Sequence, residues 1–449
     1  MTLNAIKANV LKLSVLTKVD KSWLSQLAWL FAGEGISRIT RIVTAIVLSR
    51  FLTPLEFGLA ALVLASDEFI RVFNRNGIGL KIIQAADSEL DVTCQGVYKI
   101  NWVLNIALAL LQITLAAPIA AYFNYPELNI MLQVLAISYV IYPLAMVQVY
   151  RVQRRQDMRT TSLMFGLQVG LDNLLTAALV LMGFGVWSVI IPKVLVAPVW
   201  VYGYYHADSW RFNASRASMS IKQVWRFSRD VLAVEVLRTA RLSWDRLLIG
   251  ASLGIETLGI YFFAVNAGSG MALSLIKAFN TAVMPRICRS LRSNTRKKSD
   301  TVNNNHSLQR DCLSAIGFYS LFIVPLILAQ LILAPWYVPL IFGEQWQSAI
   351  TVLMILCGAM IFQGGIEACS QVLRAHNQTG LDLRITICVA AATLTAVIVG
   401  CQFSILWVAQ LTLIAQITAF TALGAYLYLN ESKEININNN KNNLIGAVS

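Results

Sequence analysis

Long apolar stretches separated by short polar breaks recur along the chain from Trp23 to Leu429. A membrane-spanning helix needs roughly 20 apolar residues, and each of these stretches reaches about 18 or more. The pattern therefore predicts an all-α integral membrane protein with about twelve transmembrane helices. The predicted spans cover residues 23–52, 55–80, 99–123, 127–150, 160–182, 184–206, 223–250, 256–284, 311–334, 346–374, 380–402 and 404–429.

An internal repeat divides these spans into two pseudo-symmetric bundles of about six helices each. The first helix of each bundle carries an acid followed by two arginines, and each helix then reaches a short turn. An offset of about 200 residues superposes the two halves, as in transporters built from parallel repeats. The matching features are Glu34, Arg38 and Arg41 with Glu235, Arg238 and Arg241, and the turn 54–58 with the turn 254–259.

The repeat and its flanks predict five segments, namely a lead-in of residues 1–22, an N-lobe of residues 23–206, a linker of residues 207–222, a C-lobe of residues 223–429 and a tail of residues 430–449. Lysines interrupt the lead-in, which predicts a cytoplasmic segment without a cleaved signal peptide; a helix lying on the membrane surface is the alternative. The Asn-rich tail lacks an apolar pattern, which favours disorder.

Composition agrees with a lipid environment, because 57% of the residues are hydrophobic, 13% are charged and the mean hydropathy is +0.62. Soluble globular domains carry roughly 25% charged residues. The net charge of +13 does not indicate nucleic-acid binding, since the basic residues lie between hydrophobic spans rather than on one water-exposed face.

The cysteines lack metal-ligand spacing, and the sequence contains no nucleotide-binding, metalloprotease or hydrolase motif. We therefore expect no cofactor, no metal and no enzymatic activity.

The distribution of lysine and arginine predicts the orientation in the membrane. Five connections near residues 124–126, 183–185, 251–255, 335–345 and 401–403 carry no basic residue, and we place them outside. Both termini are then cytoplasmic. The basic residues on the cytoplasmic side are Lys7, Lys12, Lys18, Lys21, Arg151, Arg154, Arg155, Arg159, Arg211, Arg216, Lys222, Arg286, Arg289, Arg292, Arg296, Lys297, Lys298 and Arg310.

Several cations lie within the predicted spans, where each costs roughly 2.5–3.5 kcal/mol at a helix centre. Their excess over acids predicts a basic cavity for an anionic, phosphate-bearing cargo, because arginine matches phosphate with two parallel hydrogen bonds. The alternative is that these side chains reach the interface, or pair with Glu34, Glu235, Asp67 or Glu68 to hold helices together. The predicted cavity residues are Arg38, Arg41, Arg71, Arg75, Lys193, Arg238, Arg241 and Lys277.

Acids within spans are candidates for coupling transport to a proton or Na⁺. Asp172 lies mid-span in an otherwise apolar segment, and Glu235 and Glu367 are further candidates. Pairing of Asp172 with Lys193 is the alternative to a coupling role.

The order of several short motifs over residues 23–375 resembles the polysaccharide transporter family, the Wzx-type flippases of the multidrug/oligosaccharidyl-lipid/polysaccharide (MOP) exporter superfamily. The segment Leu48-Ser-Arg50-Phe-Leu-Thr-Pro54-Leu-Glu56-Phe-Gly58 is similar to the family's R-L-L-x-P-x-x-F/Y-G stretch. The other motifs are Gly77-Ile-Gly79-Leu-Lys-Ile-Ile-Gln84, Gly183-Phe-Gly-Val-Trp187-Ser, Arg226-Phe-Ser, Asp245-Arg-Leu-Leu-Ile-Gly250, Leu258-Gly-Ile-Tyr261 with Ala264, and Ile341-Phe-Gly343-Glu-Gln-Trp346.

This resemblance implies a V-shaped pair of six-helix bundles in the bacterial inner membrane. Its cargo would be undecaprenyl-diphosphate-linked oligosaccharide for O-antigen, capsule or exopolysaccharide, carried by alternating access. Its partners would be this lipid-linked oligosaccharide, membrane lipids, a glycan polymerase and chain-length proteins. Two residues depart from the family pattern, Lys81 in place of a small apolar residue and Lys277 in a span that lacks the usual proline.

Three other functions remain open from the sequence alone. A lipid II exporter and a drug exporter belong to the same superfamily, although a cationic drug favours an acidic cavity. A membrane glycan polymerase needs a large outside loop with charged groups, whereas the longest outside connection has Glu344 as its single charge. The glycan, the coupling ion or potential and the oligomeric state do not follow from these patterns.

Overall fold

The computed structural model describes residues 21–75, 78–213, 243–270, 276, 304–376 and 378–446. These ranges are helices joined by short turns, and they contain no strand. The chain forms two compact units, one of Met1–Leu52 with Val63–Ala240 and the other of Thr53–Leu62 with Arg241–Ser449. The all-helical prediction is therefore confirmed.

The helices of the first unit pack along neighbouring faces. Helix α1 contacts α7, α4 contacts α5, and α8 contacts both α5 and α7. The bounds are α1 Lys21–Phe51, α2 Pro54–Arg71, α3 Leu80–Gln84, α4 Leu90–Tyr122, α5 Glu127–Ile141, α6 Met146–Arg154, α7 Met158–Leu181 and α8 Trp187–Ala207. Residues 54–62 of α2 belong to the second unit.

The second unit packs around one long helix, α13, which contacts α10, α11, α12, α14 and α15. Buried cysteines, among them Cys312, Cys357 and Cys369, fill its core as small apolar side chains. The bounds are the described part of α9 at 243–253, α10 Ile255–Ala264, α11 Asn304–Phe322, α12 Val324–Tyr337, α13 Gln347–Ala375, α14 Thr379–Gly400 and α15 Ile405–Gly446.

Eight helical segments of the described residues are long and apolar enough to cross a membrane. A multi-pass membrane protein is therefore confirmed, whereas the count of about twelve stays a prediction. Much of the predicted spans 223–250 and 256–284 lies outside the described residues. The eight segments are Asp87–Tyr122, Glu127–Leu144, Met158–Leu181, Trp187–Ala207, Arg310–Phe342, Glu344–Arg374, Gly380–Gly400 and Ile405–Leu427.

Prolines divide two spans that the hydropathy pattern joined. The predicted span 127–150 becomes α5 and α6, separated by a 3₁₀ turn that contains Pro143. The predicted span 311–334 breaks at Ile323, and Pro325 lies in the first turn of the next helix. Proline lacks an N–H and disfavours a helical residue before it, so apolar length alone overestimates helix continuity.

The structure describes part of the predicted tail and part of the predicted linker. Helix α15 continues from the membrane segment through residues 430–446, because extending a helix costs no new nucleus. The first linker residues, 208–213, pack on the first unit, where Arg151 Nε donates to Asp208 Oδ1 at 2.9 Å. The aromatic ring of Phe212 stacks on Tyr98 with centroids 4.7 Å apart. The remaining linker residues 214–222 and the lead-in 1–20 lie outside the described residues.

Candidate functional site

Helix α7 positions α1, which carries the first predicted arginine pair. Asp157 caps the start of α7, accepting hydrogen bonds from the Thr160 backbone N–H at 3.0 Å and hydroxyl at 2.7 Å. These bonds stabilise the carboxylate and lower the pKa of Asp157. Further along, the Thr44 hydroxyl donates to the Asn173 carbonyl at 2.9 Å, and the Asn173 amide donates to the Thr40 hydroxyl at 3.3 Å. Polar contacts therefore fix which side of α1 faces α7.

Arg38 and Arg41 lie on the surface of α1 that α7 leaves open. Both side chains are exposed within the structure, as are the neighbouring Ile39 and Ile42. Arg41 Nη2 donates to the Ser37 hydroxyl of the same helix at 3.3 Å. A guanidinium has five N–H donors, so this single bond to the described residues leaves Arg41 donors for another acceptor.

The structure brings a different predicted cavity residue, Arg71, into an ion pair with Asp67 one helical turn earlier. The hydroxyl of the buried Tyr139 donates to Asp67 Oδ1 at 3.0 Å. Asp67 thus links α2 to α5 and balances the charge of Arg71. Of the two interpretations weighed for Arg71, pairing with an acid is the one that this geometry favours.

Lys193 is likewise paired. Its Nζ lies 3.2 Å from Asp172 Oδ2, which joins α8 to α7, and both side chains are 26% exposed. The other carboxylate oxygen, Asp172 Oδ1, is buried without a hydrogen-bond partner among the described residues. The pair matches the alternative stated for Asp172, while the second oxygen keeps an unused acceptor.

The remaining predicted residues are placed only in part. Glu367 is half-buried on α13, and no hydrogen bond or ion pair joins it to the described residues. The backbones of Glu34 and Arg75 are described, but their side chains are not. Glu235, Arg238, Arg241 and Lys277 lie outside the described residues, so the second arginine pair stays a prediction.

Sequence reasoning missed the structural role of the basic connection after α6. Arg154 donates to the Ile82 carbonyl at 2.8 Å and pairs with Asp87 at 2.6 Å, so it ties α3 to α6. Arg155 pairs with the buried Asp208 at 3.0 Å. The clustering of arginines indicated only a cytoplasmic side, since the acidic partners of Arg154 and Arg155 lie more than 50 residues away along the chain.

The described residues hold no group of three His, Cys, Asp or Glu side chains close enough to bind a metal ion. Among them, Asp67 is engaged by Arg71 and Tyr139, and Asp172 by Lys193. The described part of the predicted cavity offers the cationic donors of Arg38 and Arg41.

The fold is shared with known membrane transporters. The structure of the lipid II flippase MurJ in an inward closed conformation matches with a TM-score of 0.69 and 13% identity, covering 90% of this chain and 87% of that one. A multidrug resistance MATE family transporter in an inward-facing conformation matches with a TM-score of 0.68 and 14% identity. The match covers 88% of this chain and 96% of the transporter. The molecule is therefore a helical membrane protein with the MOP superfamily fold.

The sequence profile of the polysaccharide biosynthesis protein family matches residues 47–351, and the chain belongs to this family. The succinoglycan biosynthesis transport protein ExoT of Rhizobium meliloti is 22% identical over 74% of this chain. The chain spans only 64% of the length of ExoT. The lipopolysaccharide biosynthesis protein WzxC of Escherichia coli is 21% identical, and the match covers 85% of this chain and 74% of WzxC. The teichuronic acid biosynthesis protein TuaB of Bacillus subtilis is 20% identical, and the match covers 87% of this chain and 80% of TuaB. The family resemblance of the motifs is confirmed.

Proposed function

We propose that the protein moves undecaprenyl-diphosphate-linked oligosaccharide across the bacterial inner membrane for the synthesis of a surface polysaccharide. The observation that carries the proposal is the exposed pair Arg38 and Arg41 on a helix of a membrane protein in this family. Three relatives named for three different polysaccharides support a lipid-linked glycan as the shared class of cargo.

The arginine pair suits a diphosphate head group. An arginine in a span costs roughly 2.5–3.5 kcal/mol, and a bound phosphate offsets part of that cost by accepting charge-assisted hydrogen bonds. The two side chains are three residues apart on one helix face, so both can reach the same anion. Arg75, Arg238, Arg241 and Lys277 remain proposed members of the cavity, whereas the ion pairs of Arg71 and Lys193 favour a supporting role for those two residues.

Coupling to an ion is a separate part of the proposal. Asp172 has one buried carboxylate oxygen without a partner among the described residues, and Glu367 has no ion-pair partner there. Either acid, or Glu235, would bind the coupling ion, with the membrane potential as a second source of energy. The proposed mechanism is alternating access without nucleotide hydrolysis or any other enzymatic step.

Two candidate cargoes of the same superfamily compete with this one, because the fold also matches a lipid II flippase and a drug transporter. Purified protein in vesicles separates them when each receives labelled lipid-linked oligosaccharide, labelled lipid II or a cationic dye. We expect the lipid-linked oligosaccharide to cross fastest. Faster movement of lipid II or of the dye would replace the proposed cargo.

We further propose that both termini are cytoplasmic, because the loops without lysine or arginine alternate with basic ones. A reporter enzyme that is active only outside should be active when fused after Phe184 or Gly254. The same reporter should be inactive after Arg155 or Arg296. Activity of the reporter fused after Arg155 would reverse the proposed orientation.

In the synthesis of the surface polysaccharide, a glycan polymerase and chain-length proteins are the proposed partners.

A further inference from the structure

The second unit exposes an amide side chain deep within a predicted span. Asn266 lies in a π-helical turn of residues Val265–Ser269 that continues α10, eleven residues after that helix begins at Ile255. A rise of about 1.5 Å per residue places it about 16 Å along the helix axis, near the middle of a hydrocarbon layer roughly 30 Å thick. The Asn266 side chain is nevertheless exposed. Polar side chains are costly at this depth unless they face polar groups, so the exposure indicates a polar occupant.

The π-helical turn determines which side of α10 stays open. Gln330 of α12 donates to the carbonyl oxygens of Ala267 and Gly268, each at 3.1 Å, and thereby satisfies backbone groups in the wider turn. A Cβ atom added at Gly268 would lie 2.8 Å from the Leu353 side chain, so α10 packs closely on α13 there. These contacts bury Ala267 and Gly268 against α12 and α13 and leave Asn266 exposed.

The Asn266 amide shares a neighbour, Phe262, with a guanidinium. The Asn266 Nδ2 donates to the Phe262 carbonyl at 2.8 Å, and the Arg246 Cζ lies 5.1 Å from the centroid of the Phe262 ring. Asp245 holds this part of α9 on α10, because it accepts hydrogen bonds from the Arg246 backbone N–H and from the Tyr261 hydroxyl, each at 2.9 Å. The fold therefore presents an amide and a guanidinium around one aromatic residue.

The amide and the guanidinium keep hydrogen-bonding groups of both kinds. The bond to Phe262 leaves the Asn266 Oδ1 and one N–H without a partner among the described residues. No side-chain hydrogen bond or salt bridge joins Arg246 to those residues, and a guanidinium over a ring can still donate from its edge. A phosphate diester or an ionised phosphate only accepts and an acyl chain does neither, whereas a sugar hydroxyl donates and accepts. The surface therefore fits a hydroxyl-rich ligand.

We propose that Arg246, Phe262 and Asn266 form a sugar subsite, which binds the saccharide part of undecaprenyl-diphosphate-linked oligosaccharide. The proposal rests on the proposed function, since it assumes a cargo that carries a glycan. It assigns the saccharide to residues other than Arg38 and Arg41, which serve the diphosphate. The competing occupants of this surface are an acyl chain and a second copy of the chain.

Binding of two lipids to the purified protein tests the sugar subsite. The probes are undecaprenyl diphosphate and the undecaprenyl-diphosphate-linked oligosaccharide purified from the bacterium that makes the protein. We expect Asn266→Ala to weaken binding of the oligosaccharide-linked lipid about threefold to tenfold, the effect of one hydrogen bond. Binding of undecaprenyl diphosphate should not change, and Arg246→Gln should show the same selectivity.

Thr395→Ala on α14 is the matched control for the binding test. Thr395 is also an exposed polar side chain within a span, and its hydroxyl donates to the Ala391 carbonyl one turn earlier at 2.9 Å. This variant should bind both lipids normally. Wild-type affinity of Asn266→Ala for the oligosaccharide-linked lipid would contradict the subsite. Equal weakening for both lipids would also contradict it, because the effect would not come from the sugar.

The wild-type protein separates the subsite from the proposed function. Equal affinity for the two lipids would mean that the sugar is not recognised, so the subsite would be wrong while the proposed transport could stand. Binding of neither lipid would refute the proposed function. Free oligosaccharide released from the lipid then tests the subsite alone, through its effect on thiol labelling.

Thiol labelling reports on the surroundings of Asn266 without any lipid-linked cargo. In a variant without native cysteines, Asn266→Cys should react with a water-soluble maleimide, and free oligosaccharide should slow the reaction several-fold. Thr395→Cys should react at a rate that the oligosaccharide does not change. No reaction at Asn266→Cys would mean that an acyl chain covers the surface. A reaction that slows only with protein density in the vesicles would mean that a second copy covers it, and either result would overturn the sugar subsite.

Discussion

Replacing Arg41 with alanine is expected to lower transport of lipid-linked oligosaccharide roughly tenfold to hundredfold. A charge-assisted hydrogen bond to phosphate contributes about 1.5–3 kcal/mol, and each 1.4 kcal/mol corresponds to a factor of ten. The exposed Arg41 makes a single hydrogen bond to described residues, with Ser37, so its loss should leave the packing of α1 on α7 intact. Transport is measured in vesicles, and protein in the membrane by immunoblot.

Two further variants separate charge from geometry. Arg41→Lys should recover part of the transport, because lysine keeps the charge but cannot form the two parallel bonds of a guanidinium. Ile42→Ala, at the neighbouring exposed position, is the control and should transport normally. Normal transport by Arg41→Ala would show that Arg41 does not bind the cargo. Loss of the Arg41→Ala protein from the membrane would show instead that Arg41 stabilises the fold.

Replacing Asp67 with alanine should have the largest effect on the fold. Asp67 is buried, pairs with Arg71 and accepts a hydrogen bond from Tyr139, so its removal leaves a cation without its partner. Breaking a buried pair costs about 3–5 kcal/mol, and we expect the lower end because the Arg71 side chain is 31% exposed. Thermal unfolding in detergent measures the loss.

A double variant distinguishes pairing from a cargo role of Arg71. Asp67→Leu with Arg71→Leu leaves no unpaired charge, so stability should return and transport should persist. Asp87→Ala is the control, since Asp87 pairs with Arg154 but its side chain is 94% exposed, and we expect little change. If the double variant is stable but transports no cargo, Arg71 would be a residue of the cargo site.

The apolar pattern predicted the helices well, because helix length in a membrane follows directly from bilayer thickness. The predicted helix boundaries were wrong where a single proline breaks a stretch of high average hydropathy, as at Pro143 and Pro325. The Asn-rich tail suggested disorder from composition, but the helix before it supplies a nucleus on which α15 continues to Gly446.

The candidate site was predictable only in part, because composition shows which charges exist but not which neighbours they have. Asp67 and Arg71 are four positions apart, so their pairing was predictable from helical spacing. The approach of Lys193 to Asp172 depends on how α8 packs against α7, and a chain separation of 21 residues does not reveal it. The close approach of Gly58 to Gly259 could be found only in the structure, although the sequence repeat had matched their segments.

The membrane potential provides a way to test transport of an anion. Moving one elementary charge across 100 mV is worth about 2.3 kcal/mol, so a diphosphate with roughly two negative charges gains several kcal/mol when it leaves a negative interior. Because the sequence contains no nucleotide-binding motif, we propose this potential or an ion gradient as the source of energy.

The most direct test measures the movement of labelled lipid-linked oligosaccharide in vesicles that contain only the purified protein. Potential, proton and Na⁺ gradients are imposed separately, with and without ATP, and Asp172→Asn is compared with the wild-type protein. We predict transport that responds to at least one gradient, needs no ATP and is slower in Arg41→Ala. Transport that ignores every gradient and requires ATP would contradict it.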